Sequence, residues 1–346
     1  MIPHSRPLLE AADREAVLAR LDRGMVAEGE ETGRLERELA DRSLAEGAVA
    51  VGSGSQALVL ALEAAGAGPG SGVVVPTYVC ADVLASIEAT GAEPVLTDVD
   101  AGYGLEVERA AGAVTRDTAA LLVVHPFGRR PDLRSLRALG PPVIEDRAHR
   151  LPMSEGSPEP LDDLAVFSFH ATKMLAGGEG GAVVAGERGD LEAIRARKRF
   201  RDTGYRRNLY PLSDLQAALV RSQLRRSETF LERRRELASR FADAVADLRT
   251  VEPVFDAAAE DHHFFRFPLR VDPGVDDALL REFERAGVAA RRPVDRLLHH
   301  VSGSGERSEF PTAEELYRTT LSLPFHPSLT EGELDRVLGT LQRILD

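Results

Sequence analysis

The sequence has 346 residues but only one cysteine, no tryptophan and few other aromatic residues. The single Cys80 excludes an internal disulfide framework and any zinc site built on several cysteines. No run of about 18 apolar residues is present, so no membrane span is predicted. The N-terminal stretch is charged early and lacks the apolar core of a signal peptide, so a soluble cytoplasmic protein is expected.

Positive charge is scarce, and lysine is scarcer still. The 43 basic residues face 56 acidic ones, for a net charge of -13. This balance argues against a general nucleic-acid binder, which must neutralise phosphates. Only Lys173 and Lys198 among the basic residues are lysines. Because a lysine amine can lose its proton and arginine cannot, these two positions are candidates for chemistry.

Short apolar runs alternate with helical segments through most of the chain. Runs without strict alternation, separated by helices, indicate a mostly parallel sheet covered on both faces. The predicted fold is α/β, with a large domain over residues 1–247 that opens with two helices joined near Gly29. Seven strands are predicted: Ala48–Val51, Val73–Val75, Pro94–Leu96, Ala119–Val124, Val143–Asp146, Leu164–Phe169 and Ala182–Ala185.

The pattern changes after residue 250, which predicts a small α+β domain over residues 248–346. Its predicted strands are Phe264–Val271, Val288–Arg291 and Leu321–Leu323, and its last helix is Glu331–Leu345. His299 and His300 are interpreted as loop residues rather than metal ligands. No metal site is expected.

The segment Gly52-Ser53-Gly54-Ser55 follows the first strand and precedes a helix. Small residues at a helix N-terminus favour phosphate binding, and Ser55 is the predicted N-cap. A plain tight turn is the alternative. The same residues fit a dinucleotide fingerprint, but the next strand ends in Pro76-Thr77-Tyr78 without the required acid, so a nicotinamide site is the weaker interpretation.

Two further strands end in residues that can do chemistry. Asp146 closes Val143–Asp146, and Lys173 follows the strand that ends near Ser168. Pyridoxal phosphate (PLP) requires a lysine for a Schiff base and an acid at its pyridine nitrogen. It also needs a phosphate anchor and a flat contact for its ring, which Gly54 and Tyr78 could provide. The four features together predict a PLP site.

At these residues the sequence resembles the DegT/StrS-type sugar aminotransferases, PLP enzymes of fold type I. The resemblance extends over nearly the whole chain. It is carried by motifs that include Gly54-Ser55-Gln56-Ala57-Leu58, Pro76-Thr77-Tyr78-Val79-Cys80, Glu145-Asp146-Arg147-Ala148-His149, Ser168-Phe169-His170-Ala171-Thr172-Lys173 and Leu321-Ser322-Leu323-Pro324.

The resemblance implies three catalytic residues. Lys173 would form the Schiff base with PLP and then move the proton between Cα and C4′. Asp146 would keep the pyridine nitrogen protonated. His149 would contact the cofactor near its ring or its phenolic oxygen.

The resemblance also implies the cofactor-binding residues and the assembly. Ser168, Gly54 and Ser55 would bind the phosphate, and Tyr78 would stack on the ring. The active site would lie between the two subunits of a homodimer. The family commonly has an asparagine that reaches the partner's cofactor phosphate, and Asn208 lies one residue from that position.

The activity implied is ping-pong transfer of an amino group from an amino acid, glutamate being expected, to a keto sugar that is most often nucleotide-linked. A keto-cyclitol is the alternative acceptor. Related sugar 3-dehydratases have a histidine in place of the Schiff-base lysine, so Lys173 favours transamination. Arg147 and Arg150 are unusual for the family, which keeps open a PLP-binding protein without turnover that acts as a regulator or scaffold. If Arg147 points into the cleft it would bind an anionic substrate group; otherwise it is structural.

Overall fold

The computed structural model describes residues 1–153, 161, 163–200, 207–208 and 210–346. The helices are α1 (Ala11–Asp22), α2 (Glu30–Ser43), α3 (Gly54–Ala64), α4 (Ala81–Thr90), α5 (Val107–Ala113), α6 (Leu133–Arg137), α7 (Arg188–Lys198), α8 (Asp214–Leu224), α9 (Ser227–Val245), α10 (Asp277–Arg285), α11 (Leu298–Ser302), α12 (Pro311–Thr319) and α13 (Glu331–Leu345). The strands are β1 (Gly47–Val51), β2 (Gly72–Pro76), β3 (Glu93–Thr97), β4 (Thr118–Val124), β5 (Val143–Asp146), β6 (Leu164–Ser168), β7 (Gly181–Ala185), β8 (Arg199–Phe200), β9 (Arg207–Asn208), β10 (Val251–Pro253), β11 (Leu269–Val271) and β12 (Thr320–Leu321). None of the described helices is both long and apolar enough to cross a membrane.

The main sheet confirms the predicted α/β fold and its seven strands. In the described part of the chain its order is β1-β7-β6-β5-β4-β2-β3. The pairs β2–β3, β2–β4, β4–β5 and β5–β6 are parallel, whereas β7 runs antiparallel to both β1 and β6. Because β7 is reversed, β1 again points the same way as β6. The carboxyl ends of β1, β2, β5 and β6 therefore meet at one edge.

Helices cover both faces of this sheet, which explains why most of its strands lack alternation. The valines and alanines of β1 and β7 are all buried. On one face the strands pack on α3, α4 and α7, and on the other β1, β6 and β7 pack on α2 and α8. Burial on both sides drives sheet and helices together through the hydrophobic effect.

The N-terminal helices are fixed to the large unit by buried charges. Asp214 at the start of α8 accepts hydrogen bonds from the backbone of Gly29 and Thr32 at 2.8 and 3.0 Å. Lys198 is likewise structural: its ammonium contacts Glu28 at 2.9 Å and the Ala50 carbonyl at 2.7 Å. Of the two lysines, this leaves Lys173 as the candidate for chemistry.

The C-terminal part contains the small sheet β10-β11-β12 against α9 and α13. The predicted strand Phe264–Val271 is wrong over its first half, since only Leu269–Val271 forms a strand and residues 264–268 are buried. The predicted strand Val288–Arg291 is also wrong, because Val288 and Arg291 form only isolated bridges, to Ile2 and Ser322. The helix Glu331–Leu345 is confirmed at both ends.

Candidate active site

The carboxyl edge of the main sheet brings together most of the predicted site residues. Gly54 follows β1, Asp146 ends β5, and Ser168 ends β6 with Lys173 in the loop beyond it. Lys173 is half-buried and acts electrostatically on both Asp146 and His149. Crevices at the carboxyl ends of the strands are where α/β sheets bind ligands.

The start of α3 lies directly against the end of β6. A Cβ built on Gly54 would lie 2.9 Å from the Cβ of Ser168, and one built on Gly181 would lie 2.5 Å from the Ser53 carbonyl oxygen. Glycine is therefore required at both positions for the backbones to approach so closely. This close approach places the N–H groups of the first helical turn beside the Ser168 hydroxyl, a suitable cradle for a phosphate.

The predicted N-cap of α3 is corrected by the structure. Ser53 rather than Ser55 caps the helix, since its hydroxyl accepts a hydrogen bond from Gln56 N at 3.1 Å. Ser55 lies in the first turn and is exposed. Its hydroxyl is thus free of the capping role and remains a predicted phosphate ligand.

Glu145 and Asp146 face opposite ways, as strand alternation predicts. Glu145 is fully buried and pairs with His125 and Arg147, each at 2.9 Å. Burial alone would raise the pKa of Glu145, but Arg147 and His125 hold it well below its ordinary value. Arg147 is therefore engaged with Glu145, which favours the structural interpretation of this arginine.

The carboxylate of Asp146 is buried and has a single hydrogen bond, from Ala148 N at 2.9 Å, among the residues that the structure describes. Burial raises the pKa of Asp146, while the Ala148 N–H and Lys173 oppose that rise. A positively charged hydrogen-bond donor placed against this carboxylate would be strongly favoured over water or an apolar group.

His149 lies between the sheet edge and the segment that joins β10 to β11. Its ring stacks on Phe265 with centroids 4.0 Å apart and planes 10° apart, and Lys173 Nζ lies 5.3 Å from the centre of the same Phe265 ring. Burial lowers the pKa of His149 well below its usual value, so the ring is neutral. Its Nδ1 atom is buried without a hydrogen-bond partner in the described part of the chain. An unsatisfied buried nitrogen is a suitable contact for a polar atom of a ligand.

Phe265 belongs to a group beside Lys173 that the sequence did not reveal. Arg234 and Arg266 are 4% and 7% exposed, and burial lowers the pKa of each to about 9. Arg234 donates to the carbonyls of Phe264 and Phe265, and the Arg266 guanidinium lies 4.5 Å from the Phe265 ring centre. These contacts fix Phe265, and through it His149. The run of aromatic and basic residues from His262 to Phe267 is the signal that could have located the group.

Comparison with known protein families identifies the family to which this chain belongs. Residues 7–342 match the sequence profile of the DegT/DnrJ/EryC1/StrS aminotransferase family. The chain belongs to this family. It is therefore a PLP-dependent aminotransferase, as its motifs predict.

Solved structures agree with this assignment over whole chains. The aminotransferase TlmJ from Streptoalloteichus hindustanus is 28% identical with a TM-score of 0.89, and the alignment covers 100% of this chain and 99% of TlmJ. DesV from S. venezuelae is 28% identical with a TM-score of 0.87 and 99% coverage of both chains. PseC from Helicobacter pylori, described as an aminotransferase involved in the biosynthesis of pseudoaminic acid, shares the fold at 18% identity, with a TM-score of 0.88 and 99% coverage of both chains.

The position of Tyr78 in this aminotransferase bears on the predicted stacking of its ring on the cofactor. Its ring is only 3% exposed and packs edge-on against Tyr103, with centroids 4.9 Å apart, in an apolar cluster that includes Phe127. A ring already covered by protein does not offer a face for stacking on a cofactor. Stacking by Tyr78 is therefore not supported by the structure.

Cys80 lies two residues after Tyr78 in the same loop. It precedes α4 and is exposed. Desolvation raises the pKa of its thiol, Lys173 lowers that pKa and Asp146 raises it. The thiol is thus solvent-accessible and within the electrostatic influence of both residues.

Alkylation of Cys80 is expected to report cofactor binding. Iodoacetamide at mildly alkaline pH should label the cofactor-free enzyme once, because Cys80 is exposed and is the single cysteine. PLP should strongly slow this labelling by covering the thiol, as intact-protein mass spectrometry can follow. A labelling rate that PLP does not change would place Cys80 outside the cofactor site.

The remaining predicted residues are Arg150 and Asn208. The first lies away from the group around Lys173, and the side chain of the second is outside the part of the chain that the structure describes. Arg150 donates to the Gly128 carbonyl at 2.7 Å and to His263 Nε2 at 3.1 Å, so it ties two loops together. The backbone of Asn208 pairs with Arg199 in the β8–β9 hairpin. The Asn208 side chain lies outside what the structure describes, and its contact with a partner's cofactor stays a prediction.

Proposed function

We propose that this aminotransferase transfers an amino group from an amino acid, which we expect to be glutamate, to a keto sugar. We expect this sugar to be linked to a nucleotide. The observation that carries the proposal is the convergence of Lys173, Asp146 and His149 at one sheet edge, beside the phosphate cradle at Gly54 and Ser168. The likeness to TlmJ and DesV, both 28% identical, supports aminotransferase chemistry at this site.

The residues present fit PLP. The first turn of α3 with Ser55, together with Ser168, would hold the phosphate, and the buried Asp146 carboxylate would accept a hydrogen bond from the protonated ring nitrogen. His149 Nδ1, which lacks a partner, would contact a polar atom of the ring. When bound, PLP supplies an aldehyde for covalent attachment and a ring that withdraws electrons from the substrate's α carbon.

Each side chain then has one task. Lys173 Nζ would anchor the cofactor and then carry a proton between the α carbon of the substrate and the C4′ carbon of the cofactor. Asp146 would hold the proton on the ring nitrogen, because a buried carboxylate is stabilised by a positive partner. Phe265 would keep the neutral His149 ring in place by stacking. The arginines behind it are occupied by backbone carbonyls and would hold Phe265 rigidly.

We also propose that the enzyme works as a homodimer with active sites shared between subunits. In that arrangement Asn208 would reach the cofactor phosphate of the partner subunit. The proposal rests on the family's pattern and on the location of Asn208 in the β8–β9 hairpin, which follows α7.

The test is a half-reaction. The purified enzyme with PLP should show a visible absorption band, and glutamate should bleach it by converting the cofactor to its amine form. A keto acceptor should restore the band, and initial rates against both substrates should give the parallel lines of a ping-pong mechanism. If PLP binds but no amino acid changes the spectrum, the enzyme function is refuted in favour of a non-catalytic PLP protein.

A further inference from the structure

The two histidines of α11 are satisfied by one carboxylate. His299 and His300 are hydrogen-bonded through their Nε2 atoms to Glu314 Oε1, at 3.0 and 2.6 Å. Their predicted position in a loop is wrong, because packing of the buried Leu298 and His299 fixes a turn of helix here. An acidic partner offsets the cost of placing titratable groups away from water. Two buried arginines near Lys173 have no acidic partner in the described part of the chain.

These two arginines, Arg234 on α9 and Arg266 between β10 and β11, donate hydrogen bonds only to neutral atoms among the described residues. Arg234 Nη1 donates to two backbone carbonyls, at 3.0 and 3.1 Å. Arg266 donates to two backbone carbonyls, each at 3.2 Å, and to the Ser5 hydroxyl. Neutral acceptors satisfy single N–H groups but leave the charge of each guanidinium uncompensated. A buried charge without a counter-charge is costly.

One edge of the Arg234 guanidinium is unused. Both hydrogen bonds of this side chain leave from Nη1, so Nη2 donates to none of the residues that the structure describes. Its Nε atom is buried and likewise lacks a partner there. The N–H groups of Nε and Nη2 point the same way in a planar guanidinium and form a fork that binds anions at two points.

A small cavity lies against both arginines and against the loop that carries Lys173. Its volume is about 20 Å³, which is room for about one particle of the size of a water molecule. The N-terminal segment 5–8 closes it on another side. None of the described residues that line it is acidic. The lining side chains that carry a positive charge, or can carry one, are Arg6, Lys173, Arg234, Arg266 and His326.

The size and charge of this cavity restrict what can occupy it. Sites for sugars or amino acids have volumes of about 300–1,000 Å³, so no substrate fits. A water molecule would accept hydrogen bonds from the guanidinium fork but would leave the two buried charges uncompensated. A cation would be repelled by Arg234 and Arg266. A monatomic anion, only slightly larger than water, meets both conditions.

We propose that this cavity, here called the anion cavity, binds one halide ion, with chloride as the natural ligand. The ion would accept hydrogen bonds from Nε and Nη2 of Arg234 and would offset the charge of Arg266. It would thereby hold α9, the N-terminal segment and the loop of Lys173 together. This inference goes beyond the proposed function and does not depend on the identity of the donor or the acceptor.

The experiment is thermal unfolding of the PLP-loaded enzyme while sodium chloride replaces sodium gluconate at constant ionic strength. Gluconate carries the same charge as chloride but is too large for the anion cavity. We expect the melting temperature to rise along a saturation curve, by about 2–4 °C at high occupancy, because the ion binds only the folded protein. Bromide should act in the same way. Its anomalous X-ray signal in soaked crystals of the holoenzyme should lie in the anion cavity.

A pair of neighbouring arginines on α9 provides the variant and its matched control. Arg234→Met removes the guanidinium fork and one buried charge, so the chloride-dependent rise should disappear. Arg235→Met removes an arginine that also donates to a backbone carbonyl, that of Glu260 at 2.6 Å, but does not line the cavity. This control should keep the native response to chloride.

Each outcome decides for or against the anion cavity. A saturable rise in the native enzyme and in Arg235→Met, lost in Arg234→Met, together with bromide in the cavity, supports the proposal. Equal melting temperatures in chloride and gluconate overturn it, as does a rise that persists in Arg234→Met or a bromide-soaked crystal with no signal in the cavity. Should Arg234→Met fail to fold, the position of bromide in the native enzyme decides. A failed glutamate half-reaction would refute the proposed function and leave the chloride result unaffected.

Discussion

Replacing Lys173 by alanine is expected to abolish covalent attachment of PLP and to reduce transamination by at least about 10⁴-fold. Proton transfer by a positioned group alone contributes about 10²- to 10⁴-fold, and the variant also loses the covalent anchor. The measurement is the visible spectrum with PLP, followed by single-turnover rates with glutamate. Addition of a small amine such as methylamine should restore part of the proton-transfer rate.

The other lysine provides the control for this result. Lys198→Arg keeps the positive charge beside Glu28 and should retain the visible band. Borohydride reduction of the native enzyme should place the cofactor on the peptide that contains Lys173 and leave the Lys198 peptide unmodified. Attachment at Lys198, or a Lys173→Ala enzyme that turns over at the native rate, would overturn the assignment.

Replacing Asp146 by asparagine is expected to slow the glutamate half-reaction by about two to three orders of magnitude while the protein still folds and binds PLP. The carboxylate is buried, and truncating one member of a buried hydrogen-bonded charge pair costs roughly 2–5 kcal/mol. The measurement is the stopped-flow rate of band bleaching. Asp117→Asn, a change at an exposed aspartate, should leave that rate unaltered.

A cofactor analogue distinguishes this role from a structural one. PLP methylated on its ring nitrogen carries a permanent positive charge, so it needs no acid to hold a proton there. It should recover much of the lost rate in Asp146→Asn. If Asp146 only supported the fold, the analogue would give no recovery and the melting temperature would fall instead.

The sheet, and the edge at which the candidate catalytic residues lie, could be predicted because the sequence features that indicate them are local. Buried valine runs define seven strands, and the residues that follow them meet once the strands are parallel. Asp146 and Lys173 are each read directly from the end of a strand. The scarcity of lysine made Lys173 conspicuous, and the structure assigns Lys198 to an ion pair.

The contacts missed by the sequence depend on loop conformation and on distant segments. Phe265 reaches His149 from more than a hundred residues away, and no local pattern encodes that stacking. The alternation in Phe264–Val271 predicted a strand, yet its first half is buried on both sides, with carbonyls satisfied by Arg234 instead of a neighbouring strand. Tyr78 and Cys80 lie in one loop, and only its backbone path decides that Tyr78 is buried and Cys80 exposed.

The reversed strand β7 has a consequence for how the enzyme is made. Strand β1 is joined to β6 only through β7, since Gly47 of β1 pairs with Ala185 of β7. Ser53 and Gly54 can therefore approach Ser168 only after β7 has inserted between β1 and β6. During synthesis β1 cannot pair until β7, which is far later in the sequence, has been made. Such non-local pairing is slow. The nascent chain therefore acquires the proposed phosphate cradle as a late event in assembly. A fragment that stops before Gly181 would have Asp146 and Lys173 yet no cradle at the start of α3.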